Sequence, residues 1–164
     1  MTTYFDPLPS ELGELTLTAT DAGLSGVYLP GHRHGPPSRA GWVHHAERLD
    51  AARTQLAEYL AGTRTAFDLA LAPAAGTPFQ LRVWAALETI GYGETLSYAQ
   101  LADRLGTPAA VRAVGAANGR NPLSIVRPCH RVIGADGSLT GYGGGLPAKR
   151  WLLALEAGTL AFAL

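Results

Sequence analysis

The stretch IVRPCHRVIG, residues 125–134, holds the one cysteine of the 164-residue chain, Cys129. His130 follows it directly, Pro128 precedes it, and Arg127 and Arg131 stand two residues to either side. A thiol beside an imidazole is a pairing that covalent chemistry uses. The thiolate is the reactive form, and a free cysteine with a pKa of about 8.5 supplies little of it at neutral pH, so a base or cation must help. Adjacency alone does not bring the two groups together. In an extended chain consecutive side chains point to opposite faces, so a turn or a bridging water is needed. A carboxylate behind the imidazole would orient it and strengthen it as a base. Glu156, Asp136, Glu94 and Glu88 are the candidates, and spacing does not choose among them. The bland alternative is that Cys129 is a small buried apolar residue, as unpaired cysteines often are. The Pro-Cys-His-Arg context argues against it.

The elements that must hold this thiol are legible on both sides of a linker. Residues 13–30 alternate apolar and polar and read as two strands joined at Asp21-Ala22-Gly23. Residues 31–41 form a loop. From about Val43 to Leu60 a helical spacing of Leu49, Arg53, Leu56 and Leu60 ends at Gly62. Phe67, Leu69 and Leu71 share one face of a strand over 65–71. Residues 72–78 read as a linker, dividing the chain into 1–75 and 76–164. In the second segment, Thr77-Pro78-Phe79-Gln80 opens a helix with an N-cap, a first-turn proline and a capping-box glutamine. Ser97-Tyr98-Ala99-Gln100 is a second capping box, and Gly106 stops its helix. Thr107-Pro108 is expected to cap a further helix running to about Asn118, giving the spacing of a helix-turn-helix. Arg112 lies near the start of that helix, and Ala113, Val114, Gly115, Ala116 and Ala117 form its middle. Such small residues let a backbone approach either a neighbouring helix or a nucleic-acid groove closely. Few of them can read base edges, so sequence preference would be weak. Residues 132–142 suggest a hairpin or wing, and 147–158 a last helix.

Composition sets the outer limits. At 47% hydrophobic and 16% charged, the chain can bury a core and is not a disordered tail. A single cysteine excludes an internal disulfide and fits a reducing compartment, so a cytoplasmic protein is expected. No segment has the length of a membrane span. The net charge of zero argues against a simple polyanion binder, but it averages two unequal parts. Residues 1–75 carry five Lys/Arg and eight Asp/Glu, whereas 76–164 carry eight and five. The part with the cysteine is the basic one, which favours an anionic partner there.

PCHRVIG, preceded by GTPFQLRVW, GETLSYAQLA and RAVGAANGRNP and followed by GSLTGYGGG and KRWLLALE, resembles the O6-alkylguanine-DNA alkyltransferases. The motifs run almost continuously from Gly76 to Glu156, and residues 13–71 resemble the same family more loosely. The resemblance implies a mixed α/β fold. A small N-terminal ribonuclease-H-like domain would precede a C-terminal winged-helix domain that bears the site. It also implies direct reversal of DNA damage: Cys129 takes the alkyl group from O6 of guanine, or from O4-alkylthymine as a second substrate. His130 would deprotonate the thiol through water, with Glu156 orienting the imidazole. Asn121 would brace the site. Tyr98 would help rotate the nucleotide and donate toward the base. Arg112 would enter the stack. The helix from Val111 to about Gly119 would lie in the minor groove with Ala113, Gly115, Ala116 and Asn118 on the DNA, and Tyr142, Gly143 and Gly144 would line the base pocket.

The implied partner is double-stranded DNA bearing O6-alkylguanine. The protein would act as a monomer, with cooperative assembly along DNA as a further option, and no metal or organic cofactor is required. Flipping the base costs a few kcal/mol, less at a weakened pair. The thioether product has no ready exit, so one protein should act once. Rival readings are an alkyltransferase-like lesion-binding protein, a winged-helix regulator with an incidental thiol, and a cysteine hydrolase. Two residues depart from the family pattern. Arg127 stands where an aliphatic residue is expected and would be solvated or aimed at phosphate, and Gly91 replaces a proline. His32, His34, His44 and His45 cluster in and after the first loop, but without an N-terminal cysteine they are a weak metal signal.

Overall fold

The computed structural model describes residues 1–36 and 38–160. Pro37, in the first loop, and 161–164, at the end of the second segment, lie outside the described residues. The fold is mixed α/β. Strands β1 (Tyr4–Leu8), β2 (Leu15–Thr20), β3 (Gly23–Tyr28) and β4 (Val43–His44) form a sheet in the order β3-β2-β1-β4. The first three are antiparallel, and β4 runs parallel to β1. β2 is central. Leu15, Leu17 and Ala19 face the core, while Thr16 and Thr18 on the other side are buried and hydrogen-bonded to Arg39 and Ser25. Helix α1 (Asp50–Leu60) lays Ala52, Leu56, Tyr59 and Leu60 on the sheet.

The second segment packs α2 (Pro78–Leu87), α3 (Tyr98–Arg104) and α4 (Val111–Gly119) around Val83, Trp84, Leu87, Leu101, Val114 and Ala117. The capping boxes at Thr77 and Ser97 both form, each with reciprocal backbone and glutamine bonds. Trp84 Nε1 donates to the Ala117 carbonyl at 2.8 Å and ties α2 to α4. Strands β5 (Leu96–Ser97) and β6 (Val132–Ile133) pair in parallel. Helix α5 (Leu146–Ala157) ends on Gly158 in the left-handed region, where glycine is favoured. Its Ala148, Leu152 and Leu155 join the core of the first segment, as do Leu123 and Ile125. Val27 N donates to Pro122 O at 2.9 Å, and Val27 bridges Leu123. The chain leading to the cysteine is thus laid on the free edge of β3.

Four expectations are corrected. Val43–His44 is strand, not helix, because the edge of β1 captures it: Val43 N bonds Thr3 O and His45 N bonds Phe5 O. A short 3-10 turn at Glu47–Leu49 then leads into α1. Residues 65–71 pack Phe67, Leu69 and Leu71 on the core but make only one bridge, Leu24 to Leu71. The Gln55 side chain occupies both backbone groups of Asp68, displacing a ladder. α4 begins at Val111, since Thr107-Pro108 is spent in a turn closed by Ala110 N to Thr107 O. The 132–142 hairpin is absent. Gly134 N to Ser138 O closes a tight turn, but the returning carbonyls of Thr140 and Gly141 accept from Lys149 Nζ instead of a strand.

Candidate active site

Cys129 opens a 3-10 turn over Cys129–Arg131, so the chain is not extended there and successive side chains need not oppose one another. The thiol is 4% exposed and His130 fully buried. Of the four carboxylates that spacing left open, α5 brings Glu156 to the imidazole: His130 Nε2 donates to Glu156 Oε2 at 2.8 Å. The same carboxylate accepts from Arg131 Nε at 2.8 Å and Nη2 at 2.9 Å, from Gly93 N at 3.3 Å, and from the Tyr59 hydroxyl. Arg131 Nη1 donates to Ile90 O. Burial would raise the Glu156 carboxyl, but hydrogen bonds from His130, Arg131 and Tyr59 and the nearby positive charge outweigh it and hold it at about 2. Glu156 is therefore ionised at any ordinary pH. Burial lowers the His130 pKa against the pull of Glu156, so the ring is neutral at rest. With Nε2–H committed to Glu156, Nδ1 is the basic nitrogen, and it is buried without a protein partner.

Burial pushes the Cys129 thiol up; Asn121, the charge of Lys149 and Ser124 pull it back. Lys149 is fully buried. Its Nζ donates to Val132 O at 2.6 Å, Thr140 O at 3.0 Å and Gly141 O at 3.2 Å, and approaches the Tyr98 hydroxyl at 3.4 Å. Burial lowers this lysine to about 8, with the nearby Cys129 opposing. Tyr98 OH donates to Thr140 O at 2.8 Å. The loop before the cysteine is braced by Asn121, whose Nδ2 donates to Arg127 O at 2.9 Å and whose Oδ1 accepts from Leu123 N at 3.1 Å. Ile125 there has a φ of 73°, a conformation that costs a β-branched residue about 1–3 kcal/mol and persists only where neighbours enforce it.

A cavity of about 250 Å³ opens between Tyr98, the Gly115-to-Gly119 side of α4, and Gly141, Tyr142 and Gly143. The Tyr142 hydroxyl is buried, and burial and Cys129 hold its pKa well above the ordinary value. On α4, Arg112, Ala113 and Ala116 are exposed and Gly115 half-exposed, so these residues form the outer surface, while Ala117 faces inward onto α2.

The other expected residues are placed differently. Asn118 is buried, and its amide donates to Cys129 O at 3.3 Å, which makes it a support of the thiol's backbone and not an outward-facing DNA contact. Arg127 is half-buried with its guanidinium 5.9 Å over the Trp84 ring and its Nε and Nη1 out of solvent, so it is packed on the protein and not freely solvated. Gly144 does not reach the cavity; a Cβ there would strike Leu29 at 2.7 Å. The four clustered histidines separate. His44 pairs with Asp6, His45 packs on Tyr4, His32 on Tyr28, and His34 lines the cavity.

Sequence reasoning missed Lys149, Tyr59 and Arg131. Lys149 had a signal: it lies three and seven residues before Leu152 and Glu156, on the buried face of its helix. Tyr59 had none, because a tyrosine at a core position of a helix reads as packing.

Comparison with known proteins places the whole chain in one family. The family described as 6-O-methylguanine DNA methyltransferase, DNA binding domain, matches residues 78–158, and that enzyme's ribonuclease-like domain matches residues 2–73. The methylated-DNA–protein-cysteine methyltransferase of Mycolicibacterium paratuberculosis is 52% identical over 90% of this chain and 88% of its own. That of Methanosarcina barkeri is 45% identical over 96% and 99%. The fold superposes on Mycobacterium tuberculosis OGT in complex with DNA with a TM-score of 0.89, at 47% identity over 95% of this chain and 94% of that one. The chain belongs to the methylated-DNA–protein-cysteine methyltransferase family.

Proposed function

We propose that this protein repairs O6-alkylguanine in double-stranded DNA, and O4-alkylthymine as a second substrate, by moving the alkyl group onto Cys129 in a single displacement. The observation that carries the reading is the buried His130–Glu156 pair behind the only cysteine. The base nitrogen of His130 takes the thiol proton through a bridging water, and the ionised Glu156 stabilises the imidazolium. The Cys129 sulfur then forms a bond to the alkyl carbon as the carbon–O6 bond breaks and its electrons remain on the guanine. Tyr98, polarised by Lys149, turns its hydroxyl proton from Thr140 O toward the departing base. The Lys149 charge favours thiolate at the moment of attack.

The alkylated oxygen lies inside the stack, so the nucleotide must be rotated out before transfer. The outer face of α4 suits a groove with little sequence information, Arg112 is free to fill the vacated place, and the cavity beside Tyr98, Tyr142 and Gly143 receives the base. We assign the division of labour to a boundary at 75/76, the protein to a monomer acting in the cytoplasm, and each molecule to one reaction, since no group here can expel a thiol from a thioether.

The test is intact mass after mixing with a duplex bearing one O6-methylguanine. The expected result is one added methyl group, located on Cys129, saturating at one equivalent and absent from Cys129→Ala. Sustained turnover by a fixed amount of protein would end the single-use claim. Tight lesion binding without a mass change would favour a damage-flagging protein instead.

A further inference from the structure

The cavity beside α4 is not lined by the second segment alone. Arg33 and His34, from the loop after β3, form its other wall. That loop is anchored there: Arg33 N donates to Gly143 O at 2.8 Å, and the close approach is possible because a Cβ on Gly143 would meet the His32 ring at 2.7 Å. Arg120, at the C-cap of α4, lies near enough to bear on His34, whose pKa is lowered first by burial and then by the charges of Arg120 and Arg33. No Asp or Glu lines this cavity, and among the described residues neither Arg33 nor Arg120 pairs with a carboxylate. Both are exposed. Arg33 stands in the cavity wall and Arg120 directly follows Gly119 of its lining, both near His34, so an anion there would meet two guanidinium groups that no carboxylate neutralises.

We propose that Arg33 and Arg120 form a phosphate clamp beside the nucleotide cavity, through which the otherwise acidic first segment grips the DNA strand directly. The clamp rests on the reading of the cavity as the place of the extruded nucleotide. Arg112 and Arg120 stand eight residues apart on α4, about 12 Å along its axis. At about 3.4 Å of axis per phosphate on one strand, that span brackets three to four phosphates. Arg112 would work at the vacated stack and the clamp a short way along the backbone. A guanidinium suits the task because its planar fork holds phosphate oxygens in pairs.

The test is binding of an undamaged fluorescent duplex, followed by anisotropy across a series of salt concentrations. Each lost phosphate contact lowers the slope of log Kd against log salt by about 0.9. The Arg33→Ala/Arg120→Ala double variant is expected to lose about 2 from that slope, while Arg33→Lys/Arg120→Lys keeps it. Both variants are expected still to take up one methyl group at saturating lesion duplex, which reports that the thiol and its partners are intact. An unchanged slope in the alanine variant would overturn the clamp. So would a lysine variant that loses as much as the alanine one. Failure of the wild type to take up a methyl group would instead strike the reading of Cys129, and the slope measurement does not depend on it.

Discussion

Replacing Glu156 by Gln is the sharpest perturbation the structure offers, because shape is kept and one charge is removed. The carboxylate is 1% exposed and accepts from His130, Arg131, Tyr59 and Gly93. Two routes give its weight. Removing one partner of a buried ion pair strands the other, here Arg131 at 7% exposure, at a cost of about 3–5 kcal/mol. Independently, a carboxyl held at about 2 instead of the ordinary 4.5 contributes about 3 kcal/mol at neutral pH. The two agree, and for a domain of this size they correspond to a fall in Tm of roughly 10 °C. The pH dependence is the discriminating part. The folded carboxyl is depressed, so its contribution is complete above about 4.5 and is lost as pH falls toward 2. Protonated glutamic acid resembles glutamine, so the gap between wild type and variant should close over that window. Urea unfolding of both proteins, followed by tryptophan fluorescence from pH 7 down to pH 3, reads the gap directly. A gap below about 1 kcal/mol at pH 7, or one of equal size at both ends, would refute the claim that a buried ionised Glu156 organises this site.

Other outcomes follow from the same contacts. Lys149→Met should slow methyl transfer at neutral pH and move the pH–rate profile to the alkaline side, because the thiol loses its nearby cation; single-turnover rates across pH check this. The wild-type transfer rate should hold below pH 6.5 and fall only in more acid solution, since burial keeps His130 neutral past its ordinary value; a fall centred above 6.5 would contradict it. Gly115→Ala adds a methyl at ordinary contact distance from the Tyr98 ring, 3.6 Å, and should raise stability by up to about 1 kcal/mol while weakening duplex binding. Trp84→Phe removes the buried bond to Ala117 O and should cost about 1–3 kcal/mol in urea unfolding.

Much of this was legible in the chain because local chemistry and tertiary structure agree there. The capping boxes at Thr77 and Ser97, the last helix over 147–158 and the strands either side of Asp21-Ala22 are specified by neighbours in sequence, and each forms as read. The failures share a cause: a distant partner claimed backbone groups that local pattern assigned elsewhere. β1 drew Val43–His44 out of a helical spacing, Gln55 took the amide and carbonyl of Asp68, and Lys149 took the carbonyls of the would-be wing. In the site, Cys129, His130 and Glu156 were found through their motifs. Asn118 was assigned outward because helical position alone does not tell which small-residue face is covered. Tyr59 stayed hidden because its role depends on a contact with Glu156, 97 residues away in sequence.

The bridge between Val27 and Leu123 has a consequence for the order of folding. The sheet edge that receives the cysteine-bearing stretch is built from the part of the chain synthesised first, and domains generally fold as they emerge. The stretch therefore finds its seat already made. Until it docks, the thiol is an ordinary solvent-exposed cysteine, open to oxidation and to stray electrophiles; afterwards it is sealed. For a protein whose single thiol is proposed to be spent once, early protection is a matter of yield. Pulse-labelling of Cys129 during refolding should lose amplitude only as amide protection of the sheet appears, and thiol protection that precedes the sheet would contradict this sequence of events.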